Sequence, residues 1–223
     1  MRIKKPKVHE DIITDMLIRN GIKNFELERN HIVLNDLSSY NKKQIDCIKR
    51  NFKYFDIFQW SNRGIENILL WEQPDRIKDV VKEFNKAFSS KNYSIITSLE
   101  AKGFIIGGMF MSILKLPFLP IRKFKKLYDS LDGKRVDFTN WKNQKESLYL
   151  FDNDFKGKKA ILIDDLLHTG NSLEAAVKLL NMFEINLVGA FYLADYSNKS
   201  IRNKFNFPIR SLVRYNNLLS NCY

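Results

Sequence analysis

Apolar residues recur at helical spacing between His9 and Asn20, at Ile12, Ile13, Met16 and Leu17, and Gly21 can end that helix. Alternating apolar positions from Phe25 to Leu34, interrupted at Arg29-Asn30, predict a hairpin. Asn41 followed by Gln44 has the form of a capping box and predicts a helix through about Asn51. From Pro74 the pattern changes. Pro74 opens a helix with Ile77, Val80, Val81, Phe84 and Phe88 on one face. A buried strand is then expected over Tyr93–Leu99, a helix over Phe104–Leu114 and a strand over Pro117–Arg122. Further on, a strand is expected over Lys159–Asp164, a helix over Leu173–Phe183 and a strand over Leu187–Ala194.

Strands alternating with helices of this length imply right-handed βαβ units. The expected fold class is α/β, a mainly parallel central sheet flanked by helices, with a small N-terminal α+β appendage. The appendage is a helix–hairpin–helix over residues 1–55, and the main domain spans 56–223. Ligands bind beyond the carboxyl ends of the strands in such sheets. The loops beginning at Glu100, Arg122, Asp164 and Asp195 are therefore the ones to inspect.

Composition narrows the class. The longest nearly apolar run, Phe104 to Leu114, is too short to span a bilayer, so no membrane partner is expected. The charged start Met1-Arg-Ile-Lys-Lys-Pro has no apolar stretch behind it, and no secretory signal is read there. Two cysteines, Cys47 and Cys222, make neither a disulfide framework nor a zinc cluster. His9, His31 and His168 are the only histidines, which argues against a metal site built of protein ligands alone. A cytoplasmic protein is expected.

Charge adds a partner. Lys and Arg number 37 against 25 Asp and Glu, a net +12 that favours anionic ligands. Between Lys115 and Lys145 nine Lys/Arg face three Asp, a net +6, which is half of the whole excess. A solvated basic loop would carry the same composition. Its place beside the loops above argues that it faces a phosphate.

The richest stretch is Ile161-Leu-Ile-Asp164-Asp165-Leu-Leu-His168-Thr169-Gly170-Asn171-Ser172. An apolar strand delivers two adjacent carboxylates to the sheet edge. A short loop with one glycine and two hydroxyls follows, and then a helix with Asn171 as candidate N-cap and Glu174 three residues on. Backbone N–H groups at a helix N-terminus, with the Thr169 and Ser172 hydroxyls, make a phosphate cradle. The acidic pair beside it suits ribose hydroxyls or a hydrated magnesium ion. Such a site asks for a ligand that is both sugar and phosphate. The stretch has neither the Walker spacing nor the triple-glycine dinucleotide fingerprint.

This stretch resembles the phosphoribosyl-pyrophosphate (PRPP) motif of the type I phosphoribosyltransferases. Ser98-Leu-Glu100-Ala101-Lys102-Gly103-Phe104 resembles the pyrophosphate loop of the adenine-specific group, and Leu116-Pro-Phe-Leu-Pro-Ile-Arg122-Lys123 its next strand. The resemblance covers roughly Gly64 to Tyr215 and leaves out the first fifty or so residues.

It implies the following roles. His168, Thr169, Gly170, Asn171 and Ser172 hold the 5-phosphate. Asp164 and Asp165 contact the ribose hydroxyls and, with PRPP, the cofactor Mg2+. Glu100, Ala101, Lys102, Gly103, Arg122, Lys123 and Lys126 form the pyrophosphate side, and the basic stretch after Arg122 a closing loop. The base falls to Ile65, within the segment 62–69, and to Asp195 and Tyr196. Cations around a departing pyrophosphate agree with the bottom-up reading. A homodimer is also implied. The adenine group usually has Ala at the position of His168 and Arg at that of Lys102, and a loop Glu for which Val136–Trp141 holds no clean equivalent; Asp137 and Glu146 are the nearby acids. His168 is therefore a candidate proton carrier to the base, alongside Asp164 and Asp165 as candidate catalytic residues.

The expected function is purine salvage: adenine plus PRPP giving AMP and pyrophosphate. The alternatives are a 6-oxopurine as the base, or a PRPP-sensing transcription regulator of the same fold. Nucleic acid is not the expected partner, because Met1 to Lys53 mixes twelve Lys/Arg with seven Asp/Glu and shows one helix before its hairpin.

Overall fold

The computed structural model of the chain describes residues 1–61, 64–68, 70–124, 132–216 and 218–219. Lys126, Asn62, Arg63, Leu69 and Cys222 lie outside the described residues. The chain divides into two compact units. One comprises Met1–Ala87, Ala194–Tyr196 and Leu212–Tyr223, the other Phe88–Leu193 and Ser197–Ser211. Residues 1–55 thus fall inside a unit that continues to Ala87 and takes in two later pieces of chain.

The first unit begins with β1 (Arg2–Lys4), α1 (Glu10–Arg19), β2 (Phe25–Leu27), β3 (His31–Leu34) and α2 (Lys42–Tyr54). The helix–hairpin–helix is present, with β2 and β3 antiparallel about Arg29-Asn30. β1 was not expected, since three residues are too few to show alternation. It pairs with β3, Arg2 opposite Val33, and makes a three-stranded sheet. α1 buries the face read from the sequence: Ile12, Ile13, Met16 and Leu17. The capping box closes as expected. The Asn41 side chain accepts the Gln44 N–H at 3.0 Å, and the Gln44 side chain accepts the Asn41 N–H at 2.9 Å. The antiparallel pair β4 (Phe58–Ser61) and β5 (Gly64–Ile68) and the helix α3 (Pro74–Phe88) follow. α3 buries Ile77, Val80, Val81 and Phe84.

The second unit carries β6 (Ile95–Leu99), α4 (Lys102–Leu114), β7 (Phe118–Lys123), β8 (Gly133–Thr139), β9 (Lys145–Phe151), β10 (Lys159–Leu167) and α5 (Asn171–Met182). β11 (Asn186–Asp195), α6 (Lys199–Arg202) and β12 (Ile209–Arg214) complete it, the last residues of β11 and β12 belonging to the first unit. The seven-stranded sheet has the order β12-β11-β10-β6-β7-β9-β8. Its centre is parallel, with Ala160 of β10 opposite Ile95 of β6 and Ile96 of β6 opposite Phe118 of β7. β10 lies between two neighbours, and Ala160 to Ile163 have no exposed surface, as befits a strand covered on both faces.

The hairpin β8–β9 was not read from the sequence. Its outer strand Gly-Lys-Arg-Val-Asp-Phe-Thr half-buries only Val136 and Phe138, so charge hides the alternation. β9 pairs antiparallel with β7, Arg122 opposite Tyr149. Among the described residues no helix is long and apolar enough to cross a membrane. Because β6, β7 and β10 are parallel, their carboxyl ends bring Glu100, Arg122-Lys123 and Asp164-Asp165 to one sheet edge.

Candidate active site

β10 was expected to end at Asp164 but runs on to Leu167, so the acidic pair lies within the strand near its carboxyl end. Asp164 is 6% exposed and hydrogen-bonded through its side chain to Asp165. Burial, then the neighbouring Asp165 charge, pushes the Asp164 carboxyl well above the ordinary carboxylate range. Burial also raises Asp165, but the Lys102 ammonium opposes it. Both carboxyls are thus held above the ordinary value, Asp164 by the larger margin. Lys123 stabilises charge on Asp164 in the same way that Lys102 does on Asp165. The structure thus gathers Asp164, Asp165, Lys102 and Lys123, four residues singled out from three separate motifs.

Two elements hold those cations. Lys102 is the first residue of α4, after the cis Glu100–Ala101 peptide. Gly103 packs on Asp164 and Ser98 with no room for a side chain. Glu100 is almost buried. Its carboxylate accepts the Lys123 backbone N–H at 2.9 Å and faces Arg122 Nε at 3.5 Å. Glu100 thereby ties the end of β7 to the loop that leads into α4. Lys123 Nζ lies 2.9 Å from Glu146 Oε2, and Asn140 Nδ2 donates to Glu146 Oε1 at 2.9 Å. Glu146, one of the two acids considered from the sequence, is therefore at the site. Asp137 instead accepts from the Ser147 hydroxyl and pairs with Arg135, 3.3 Å away.

The loop His168–Gly170 leads into α5. Its cap differs from the expectation: Gly170, in the left-handed region at φ 81°, is the N-cap, and Asn171 is the first helical residue. A Cβ on Gly170 would also come 2.8 Å from Ile201 Cγ2. Glycine alone meets both constraints. Freed from capping, Asn171 Nδ2 donates to the Thr139 carbonyl at 2.8 Å. Thr139 ends β8, and the turn beyond it is closed by Asn140, whose side-chain oxygen accepts the Lys142 and Gln144 N–H groups at 2.8 and 3.0 Å. This turn sets the Trp141 ring 5.7 Å from the His168 ring, with Lys142 Nζ 5.1 Å from the Trp141 centroid. The first turn of α5 presents backbone N–H groups to the loop, beside the hydroxyls of Thr169 and Ser172. That arrangement suits a phosphate.

The base candidates belong to the first unit. Asp195 is buried, and its carbonyl accepts the Tyr215 N–H at 2.9 Å. The Tyr196 ring stacks on Tyr215 at 4.9 Å and 19°. Burial pushes the Tyr196 hydroxyl far above its ordinary range, with a backbone hydrogen bond at Ile65 acting the other way. Ile65 and Tyr196 are thus brought together. Sequence reasoning missed Trp60 and Tyr215, which pack with Tyr196. It also missed the bond from Asn171 to Thr139. No spacing signal announces either, because each joins segments far apart in the chain.

Asp164 and Asp165 are hard oxygen donors of the kind magnesium prefers. Among the described residues there is no group of three or more His, Cys, Asp or Glu side chains placed to hold a metal. The pair fits an ion that draws its remaining ligands from phosphates and water.

The family model described as phosphoribosyl transferase domain matches residues 70–207. An adenine phosphoribosyltransferase of Mesorhizobium japonicum is 33% identical over 138 residues, covering 60% of this chain and 75% of that protein. The crystal structure of the adenine phosphoribosyltransferase from Thermoanaerobacter pseudethanolicus aligns with TM-score 0.64 at 20% identity, covering 73% of this chain and 98% of that one. The enzyme from Trypanosoma brucei, in complex with AMP, pyrophosphate and ribose-5-phosphate, aligns with TM-score 0.60 at 20% identity, covering 76% and 80%.

Proposed function

The chain belongs to the phosphoribosyl transferase domain family, and on that premise we propose that it transfers the phosphoribosyl group of PRPP to adenine, releasing AMP and pyrophosphate. The observation that carries the reading is the acidic pair Asp164-Asp165, faced by Lys102 and Lys123, at the mouth of the loop His168–Ser172. One edge of the sheet offers hydroxyl acceptors, a phosphate cradle and cations, and PRPP presents a ribose, a 5-phosphate and a pyrophosphate. The curated relative at 33% identity is an adenine enzyme, which favours adenine over a 6-oxopurine.

In the reaction the bond from ribose C1′ to the pyrophosphate oxygen breaks as the bond from C1′ to a purine ring nitrogen forms, and that nitrogen loses its proton. Asp165 accepts from a ribose hydroxyl, and Asp164, its carboxyl buried against Gly103, fixes the geometry. Lys102, Lys123 and Arg122 stabilise charge gathering on the leaving pyrophosphate, Arg122 facing Glu100 and the Lys123 ammonium facing Glu146. The N-terminus of α5 holds the 5-phosphate. Asp164 and Asp165 are the residues that would hold Mg2+, which supplies charge neutralisation to PRPP. His168 is the candidate proton carrier to the base. Ile65, Asp195 and Tyr196 are assigned to base recognition. A homodimer belongs to the same reading: α4 leaves Ile105, Met111 and Ile113 exposed, an apolar surface a second copy would cover.

The test mixes the protein with PRPP, magnesium and adenine, hypoxanthine, guanine or xanthine in turn, and follows nucleotide formation. Turnover with adenine is the expected result. Turnover with an oxopurine only would replace the base, and PRPP binding without turnover of any base would overturn the catalytic reading.

A further inference from the structure

The family match starts at residue 70, so helix α1 lies outside it. Yet α1 grips the segment that follows the sheet's last strand. Four aromatic rings form one run. Phe55 stacks on Trp60 at 4.1 Å and 9°, Trp60 on Tyr215 at 5.6 Å and 29°, and Tyr215 on Tyr196 at 4.9 Å and 19°. The Trp60 indole N–H donates to the Phe55 carbonyl at 2.7 Å, which fixes the indole plane.

Two residues of α1 and its cap hold the third ring. The Tyr215 hydroxyl donates to Asp15 Oδ2 at 2.7 Å, and Arg19 Nε donates to the same oxygen at 2.6 Å. Asn20 Nδ2 donates to the Tyr215 carbonyl at 2.8 Å, and Asn20 Oδ1 accepts the Leu218 N–H at 2.5 Å. Tyr215 is therefore fastened at its hydroxyl and at its backbone by one stretch of six residues. Asn216 Nδ2 in turn donates to the Tyr196 carbonyl at 2.8 Å. One anchor at the ring's hydroxyl and one at its backbone carbonyl together set where the Tyr215 ring sits and how it is turned. Tyr196 follows the carboxyl end of β11, where sheets of this kind bind their ligands.

We propose that α1 is part of the base-recognition apparatus: Asp15 and Asn20, acting through Tyr215, set the Tyr196 ring as the flat wall on which a planar heteroaromatic base stacks. Asp15, Asn20 and Tyr215 are positioning residues. The inference rests on the phosphoribosyl-transfer reading above.

Steady-state kinetics of the full chain test it, with PRPP and the base varied separately. Tyr215→Phe keeps the ring and removes its anchor to Asp15; Asp15→Ala removes the other partner. Each is expected to raise KM for the base roughly 3- to 10-fold, the cost of one hydrogen bond. KM for PRPP and kcat at saturating base should stay near those of the unaltered protein. A merely structural role would lower the active fraction and leave both KM values alone. Should Asp15→Ala fail to fold, Tyr215→Phe carries the test. Turnover by the unaltered chain with unchanged base KM in Tyr215→Phe overturns this inference alone. PRPP binding without turnover by the unaltered chain overturns the parent reading and this one with it.

Discussion

Gly103 stands so close to Asp164 that a Cβ there would lie 2.5 Å from the carboxylate Oδ1, and 3.2 Å from the Ser98 Cβ. The first turn of α4 is thereby packed directly on an acid near the carboxyl end of β10. The turn bearing Lys102 and the strand bearing the acidic pair are therefore in direct contact. Gly103→Ala is expected to displace one or the other. Relieving the clash should cost about 1–3 kcal/mol, visible as a fall in Tm. Activity should fall more steeply than stability alone explains, roughly 10²-fold in kcat/KM, since misplacement of a positioned group has that scale. Thermal melts and kinetics on the same preparation check both. An alanine variant with unchanged Tm and activity would show that the carboxyl can move.

Asp164 makes a prediction about pH. Burial and the Asp165 charge raise its carboxyl in the folded chain above the ordinary value. Between about pH 4, where the unfolded chain loses this proton, and the raised folded value, the folded chain binds the extra proton. Stability therefore falls as pH rises through that window and is flat above it. Asp164→Asn removes the titration. Its Tm should exceed that of the unaltered protein at pH 7.5, and the gap should close toward pH 4, while turnover is lost. A gap that widens on acidification would mean that Asp164 is held as the anion.

Much of this was legible in the sequence. The strand begun at Lys159 and the acidic pair Asp164-Asp165 in it, the Asn41–Gln44 capping box and the apolar face of α1 each depend on local pattern, and each is present, although the strand runs on to Leu167. The helix cap at Gly170 was misread as Asn171 because both residue types cap, and only the left-handed φ and the neighbour Ile201 decide between them. The hairpin β8–β9 was invisible because charged residues fill most of its outer strand. The Asp15–Tyr215 bond spans two hundred residues of chain, and no pattern in either segment implies the other.

Lys123 and Glu146 yield a pair of opposite expectations. Glu146 neutralises Lys123 at 2.9 Å while Asn140 holds its other oxygen. Glu146→Gln keeps the Asn140 bond and frees the cation, so inhibition by pyrophosphate should strengthen, by about 2- to 5-fold for a half-exposed pair. Lys123→Met removes the cation and should weaken pyrophosphate and raise KM for PRPP by about 10-fold. Product-inhibition kinetics distinguish the two. Movement of both variants in the same direction would place Glu146, rather than Lys123, against the pyrophosphate.

His168 separates chemistry from shape. Its ring lies 5.7 Å from Trp141, in the loop that leads into α5. If the imidazole moves a proton to or from the base, neither alanine nor asparagine replaces it. His168→Ala and His168→Asn should then both lose about 10²-fold in kcat, the usual worth of a positioned acid or base, with KM for PRPP little changed. If the ring only shapes the loop, His168→Asn retains much of that function through its side-chain hydrogen bonds, and the alanine variant loses PRPP affinity rather than rate. Trp141→Ala serves as the control. It removes the ring contact but leaves the imidazole, so a proton-carrying His168 predicts near-normal kcat in this variant. A drop in kcat for Trp141→Ala as large as that for His168→Ala would assign the effect to the aromatic contact and remove His168 from the proton path.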